Sequence, residues 1–135
     1  MIRGFTCQNI HDISHVQPNK PIIFDTVISN HGSGYNPSTG IYTADKSGWY
    51  TFFNDIRVFP GNYICWIDMV RNGVRISTTF AQSSESARNH VSDSIMAFVY
   101  LNIGDKVWLH SVKYDSGECS IDDLSSFAGF LLNVV

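Results

Sequence analysis

Charge is scarce in this chain: 16% of its 135 residues are Asp, Glu, Lys or Arg, against 44% hydrophobic, where about 25% charged is usual for a soluble domain. So little charge covers a surface poorly. Either apolar area stays exposed or it is hidden against another chain, and because large apolar patches are rare on monomers the second is expected. Runs of Lys or Arg are missing and the net charge is −3, which removes the electrostatic footprint that nucleic acid or an anionic membrane would need. Long apolar runs are missing too. No stretch approaches a membrane span, and the first twenty residues hold no signal-peptide core, so a secreted form would be the mature one.

Cysteine is limited to Cys7, Cys65 and Cys119, an odd number that cannot all pair within one chain and that shows no Cys-x-x-Cys spacing. Cys65 alternates with Ile67 and Met69 and reads as a buried small apolar residue. Cys119 lies in the polar Gly117–Ser120 stretch and is the candidate for an interchain disulfide, with Cys7 as the substitute. The Asn36-Pro37-Ser38 match to a glycosylation signal is disabled by its proline.

Catalytic patterns are equally thin. Five histidines are present, yet none forms the His-x-His pair of a metal-binding jelly roll. His11 and His15, four apart, lack the glutamate of a zinc protease and read as solvated N-terminal residues. Gly32-Ser33-Gly34 lacks the spacing of a nucleophile elbow and is explained as a turn. Asp122 and Asp123 are adjacent, so their carboxylates point apart, whereas glycosidase chemistry needs them converging. No enzyme, no catalytic residue and no metal ligand is predicted.

What the sequence does have is short runs of β-branched and aromatic residues punctuated by turn clusters, at the spacing of an all-β sandwich of one domain over residues 1–135. Strands are predicted over 22–29, 40–44, 49–58, 63–71, 74–81, 92–101, 106–112 and 127–134. Asn72-Gly73 between two apolar runs is the clearest hairpin signal. In the 92–101 run, Ile95, Ala97, Val99 and Leu101 fall on one face, and Met96, Phe98 and Tyr100 on the other. Both faces are apolar, so this strand is expected to be covered twice, by the facing sheet and by a subunit neighbour rather than the chain's own loops.

The stretch from Pro21 to Phe53 resembles the opening of the C1q globular domain: Phe24, then Asn30, Tyr35, an aromatic at 42, Gly48, Tyr50 and Phe52 at matching intervals. Tyr42 replaces the family's Phe, and Asn54 stands where a second aromatic is usual. Ile103-Gly104-Asp105-Lys106-Val107-Trp108-Leu109 and Phe127-Ala128-Gly129-Phe130-Leu131-Leu132 extend the resemblance towards the C terminus. The aromatics at 24, 35, 42, 50, 52, 127 and 130 are expected to supply much of the core. The resemblance implies a ten-stranded C1q/TNF-like jelly roll assembled as an extracellular homotrimer or heterotrimer, here without a collagen stalk. It is similar to the head-only C1q-domain lectins of invertebrates such as bivalves, which implies a pattern-recognition role in innate immunity, binding acetylated amino sugars or sialic acids on glycans, including microbial polysaccharides. A receptor-binding signalling ligand of the tumour-necrosis-factor kind is the alternative. Calcium, which many family members bind, is not favoured, because the loop from Ala81 to Val91 offers only Glu85 with Asp93 close by, and a calcium site wants six to eight oxygens.

Alternating strand direction brings three loops to one end of the sandwich. There the sequence places planar polar groups and aromatic faces suited to sugars: Asn62 and Tyr63; Arg88, Asn89 and His90; and Tyr114, Asp115, Ser116 and Glu118. His110, on a strand, is a further candidate to line the pocket. Met96, Phe98 and Tyr100 are the candidate trimer contacts.

Overall fold

The computed structural model describes residues 1–9, 11–84, 86, 88–113 and 118–134. Ten strands follow one another: β1 (Gly4–Gln8), β2 (Thr26–His31), β3 (Tyr35–Asn36), β4 (Ile41–Thr43), β5 (Gly48–Val58), β6 (Ile64–Arg71), β7 (Val74–Gln82), β8 (Val91–Leu101), β9 (Lys106–Ser111) and β10 (Ser126–Val134). They form two antiparallel five-stranded sheets, the first in the order β2-β1-β10-β5-β8 and the second β3-β4-β9-β6-β7. This is the expected all-β jelly roll. β1 was not among the predicted strands, because its Gly-Phe-Thr-Cys-Gln sequence buries only Phe5 and Cys7 and carries no β-branched run. The predicted strand over 22–29 is realised as β2, starting at Thr26, while Pro21 bridges His110 and the Ile22 N–H donates to the Leu109 carbonyl at 2.7 Å, alongside β9 in the second sheet.

Aromatic side chains fill the space between the sheets. Phe5 stacks on Tyr35 and Tyr42 with ring centroids 4.9 and 5.0 Å apart and meets Phe127 edge-on; Phe24, Tyr50 and Phe52 are also fully buried. The Tyr35 hydroxyl donates to the Phe24 carbonyl at 2.8 Å and accepts from the Phe24 N–H at 3.1 Å, which keeps a buried polar tip satisfied. Phe130 departs from expectation. Strand alternation turns Gly129 inward, where an added Cβ would lie 2.4 Å from the Phe52 ring, and therefore turns Phe130 outward, 42% exposed. The Asn72-Gly73 hairpin is present between β6 and β7 with both residues at positive φ, 51° and 87°, as a type I′ turn demands.

The cysteines correct the sequence reading. Cys119 is not available between chains: it is bonded to Cys65, with Cα atoms 4.7 Å apart. Cys65 is therefore a cross-link and not simply a small apolar residue. The register of β6 against residues 118–121, some fifty positions away in sequence, was not visible in cysteine spacing. Cys7 is the free thiol and is buried.

The outward face of the first sheet is apolar and open. Pairing of Met96 with Phe53, Phe98 with Thr51 and Tyr100 with Trp49 puts these side chains on one face. Trp49 stacks on Phe98 at 4.9 Å, and Phe53 on Phe130 at 6.3 Å. Met96 is 56% and Phe98 54% exposed, while Tyr100 is half-buried. Among the described residues, the chain's own loops leave this face uncovered.

Candidate functional site

The loops after β5, β7 and β9 meet at one end of the sandwich. Tyr63 bridges Glu118, and the Ile64 N–H donates to the Glu118 carbonyl at 2.9 Å. The Ser83 hydroxyl donates to the Gly61 carbonyl at 2.6 Å and accepts from the Tyr63 N–H, tying the loop after β7 to that after β5. The Phe59 ring contacts Tyr63 and His90, with centroids 6.0 and 5.3 Å apart. His90 also reaches the buried carboxylate of Asp122, Nε2 to Oδ2 at 3.5 Å, and Arg57 pairs with the same oxygen. Asp122 therefore anchors a loop rather than forming a catalytic pair with Asp123.

Beside these contacts opens a cleft of about 320 Å³, walled by His15, Val16, Gln17 and Pro18 on one side and by Ile64, Ser111, Val112, Lys113, Glu118 and Cys119 on the other. Its size is at the small end of ligand pockets, about 300 Å³ and upward. The N-terminal segment runs antiparallel to residues 119–121, with Ile13 and Ile121 exchanging backbone hydrogen bonds and the Val16 N–H donating to the Cys119 carbonyl at 2.8 Å. Where this segment passes Glu118, His15 takes a positive φ of 54°, uncommon for a residue with a Cβ. Its Nδ1 pairs with the Glu118 carboxylate, and its N–H donates to Ser120 Oγ. The Cys65–Cys119 disulfide fixes the opposite wall to β6.

Of the candidates read from sequence, Glu118 lines the cleft, Tyr63 adjoins it through its bridge to Glu118, and His90 belongs to the neighbouring Phe59 cluster. Asn62, Arg88 and Asn89 are exposed on the same loops. Tyr114, Asp115 and Ser116 lie outside the described residues. His110 faces the other way, outward from the second sheet, opposite Asp68. Sequence reasoning missed His15, Gln17 and Lys113 as cleft residues, since no local pattern announces that residues 13–18 will lie against 119–121.

A profile of the C1q domain matches residues 4–132. The chain belongs to the C1q domain family. Among curated proteins this C1q domain is 33% identical over 117 residues to protein HP-25 homolog 1 of Bos taurus, covering 86% of the chain and 52% of that protein. It is 33% identical over 118 residues to complement C1q and tumor necrosis factor-related protein 9 of Mus musculus, covering 85% of the chain and 34% of the relative. The domain thus spans about half, or less, of the length of these relatives. The globular domain of zebrafish complement 1qA protein superimposes with a TM-score of 0.80 at 20% identity, covering 98% of this chain and 99% of that one. Murine APRIL superimposes with a TM-score of 0.73 at 10% identity, covering 98% and 100%. These likenesses establish the C1q/TNF-like jelly roll. No helix of the described residues is long and apolar enough to cross a membrane.

Proposed function

We propose that this C1q domain is an extracellular, non-enzymatic carbohydrate-binding module that works as a trimer, each subunit offering one shallow site for an acetylated amino sugar or sialic acid. The observation that carries this reading is the cleft at the loop end, because each of its two walls sets apolar beside polar groups. Val16, Pro18, Ile64 and Val112 suit an acetamido methyl, while Gln17, Ser111 and Glu118 offer donors and acceptors for its amide. Lys113 supplies a cation for the carboxylate of a sialic acid. Sites of this kind bind weakly one at a time, and a trimer engaging repeated glycans gains avidity from linkage.

The proposed trimer rests on the apolar outward face of the first sheet, where Trp49, Phe53, Met96, Phe98 and Phe130 are all exposed; contiguous apolar surface of this kind marks interaction sites. This reading holds the sugar by side-chain hydrogen bonds and apolar contact, with no contact routed through calcium. A glycan array probed with purified protein, competed by free N-acetyl sugars, tests the reading. Replacing Lys113 or Glu118 by Ala should weaken binding by about five- to thirtyfold, the worth of one hydrogen bond or contact, and EDTA should leave it unchanged. An array without signal, or binding abolished by EDTA, overturns the proposal.

A second reading, an extracellular signalling ligand for a protein receptor, draws support from the relatedness to a C1q and tumor necrosis factor-related protein and from the fold shared with APRIL. Saturable binding to cells that free sugars do not displace would favour it.

A further inference from the structure

The Asn72-Gly73 turn is a motif of the sequence that the proposed function leaves unused. Asn72 alone among the asparagines precedes a glycine, so only here does no side chain hinder the next backbone nitrogen from closing on the asparagine amide. Both residues are exposed, and a Cβ built on Gly73 would meet nothing within 4 Å. The turn is bare, but Asn72 is held. Its N–H donates to the Lys106 carbonyl at 2.8 Å, its Oδ1 accepts from the Lys106 N–H at 2.9 Å, and its Nδ2 donates to Asp105 Oδ1 at 3.1 Å. The β6–β7 turn is thereby fastened to the turn between β8 and β9. Asp105 serves both turns: its other oxygen accepts from the Asn102 N–H at 2.8 Å. These hydrogen bonds, that of Asn102 before that of Asn72, hold its carboxyl below the usual range.

We propose that Asn72 is a modification site, a slow deamidation switch that Asp105 keeps locked while these two turns are fastened together. In the reaction the Gly73 nitrogen bonds to Asn72 Cγ, the Cγ–Nδ2 bond breaks, and Nδ2 leaves as ammonia with the Gly73 amide proton. Water then opens the cyclic imide at either carbonyl, its OH going to carbon and its H to nitrogen, and leaves aspartate or isoaspartate at position 72. Nothing besides water is consumed. On the way Cγ becomes tetrahedral, which takes Oδ1 and Nδ2 out of the geometry that Lys106 and Asp105 require, so the lock must open before the bond can form. The change runs one way. A carboxylate replaces the amide that donated to Asp105, and two facing carboxylates disfavour one another's charge, so the fastening does not re-form. Isoaspartate further adds a backbone carbon to a turn that sets the register of β6 against β7. The two turns thus separate with the age of the molecule, at the end of β5 and β8 away from the cleft.

The test is incubation of the folded protein in mildly alkaline buffer, followed by peptide mapping that reads the exchange of NH₂ for OH at position 72. Product should form there, more slowly in the native protein than in the same chain unfolded in urea. Asp105→Ala should speed it about fivefold in the native state, the worth of one hydrogen bond. Ser47→Ala removes the acceptor of the Ile103 N–H, at 3.1 Å, from the same turn without touching Asn72, and should leave the rate unchanged. Should Asp105→Ala not fold, melting temperatures give a second reading. Asn72→Asp should lower the melting temperature, and adding Asp105→Asn, which again sets a donor opposite an acceptor, should recover most of the loss. No product at position 72, native protein reacting as fast as unfolded chain, Ser47→Ala matching Asp105→Ala, or no recovery in the double variant would each overturn the proposal, whatever the outcome for sugars at the cleft.

Discussion

Gly129 shows how one residue can hold the two sheets at their observed spacing. An added methyl there would meet the Phe52 ring at 2.4 Å and Phe5 at 3.1 Å, and overpacking of this kind typically costs about 1–3 kcal/mol. Gly129→Ala should therefore lower the unfolding free energy by that amount, read as a lower denaturant midpoint with an unchanged slope. Cys7 illustrates the opposite case, a reactive group made inert. Burial pushes its thiol up to about 12, against the lesser lowering effect of its Tyr35 and Phe127 partners. Burial likewise raises Tyr35 and Tyr42. For such groups the stability contribution is complete below the pKa of the unfolded thiol, about 8.5, and is lost as pH rises towards the folded value. The protein should lose stability steadily above about pH 9, and Cys7 should resist alkylation at pH 8 until the chain is unfolded. Rapid alkylation of native protein would contradict this. The Cys65–Cys119 bond, closing a separation of 54 residues, should contribute about 4 kcal/mol by constraining the unfolded chain. Denaturing electrophoresis should show no disulfide-linked dimer, and reduction should lower the melting temperature.

At the scale of strands, β8 carries the argument for association. It is the edge of the first sheet, and its alternation leaves Met96 and Phe98 more than half exposed beside Trp49 and Phe53. Phe98→Asp should dissociate the assembly while leaving the fold intact, since the side chain lies outside the core; a trimer that survives it would show that subunits meet elsewhere. This strand was readable in advance because period two with apolar residues on both faces has a direct physical meaning. The Asn72-Gly73 hairpin was legible for the same reason, as local chemistry. β1 was not legible, because five residues with two inward side chains carry too little pattern. The cleft was not legible either: it arises where residues 15–18 meet 111–113, 118 and 119, a long-range contact that no window of sequence contains. Glu118 is legible from its loop position; His15 is solvated, as the sequence suggests, with its side chain 75% exposed, but its partner lies a hundred residues away and is not legible.

For the whole molecule, low charge, an open apolar sheet face and membership of the C1q domain family support the proposed trimer, whose mass would be three times the 15.2 kDa of one chain. Its three loop ends would carry three clefts. Lectin activity at the loop end requires that the cleft take a sugar. Isotope-edited NMR of the domain titrated with free N-acetylglucosamine and with N-acetylneuraminic acid reads this directly, residue by residue. The prediction is saturable shifts of the Val16, Ile64, Val112 and Glu118 amides with a dissociation constant of about 1 mM, some 4 kcal/mol. Amides in the cleft that stay still at about ten times that concentration, or shifts confined to another part of the surface, would contradict it.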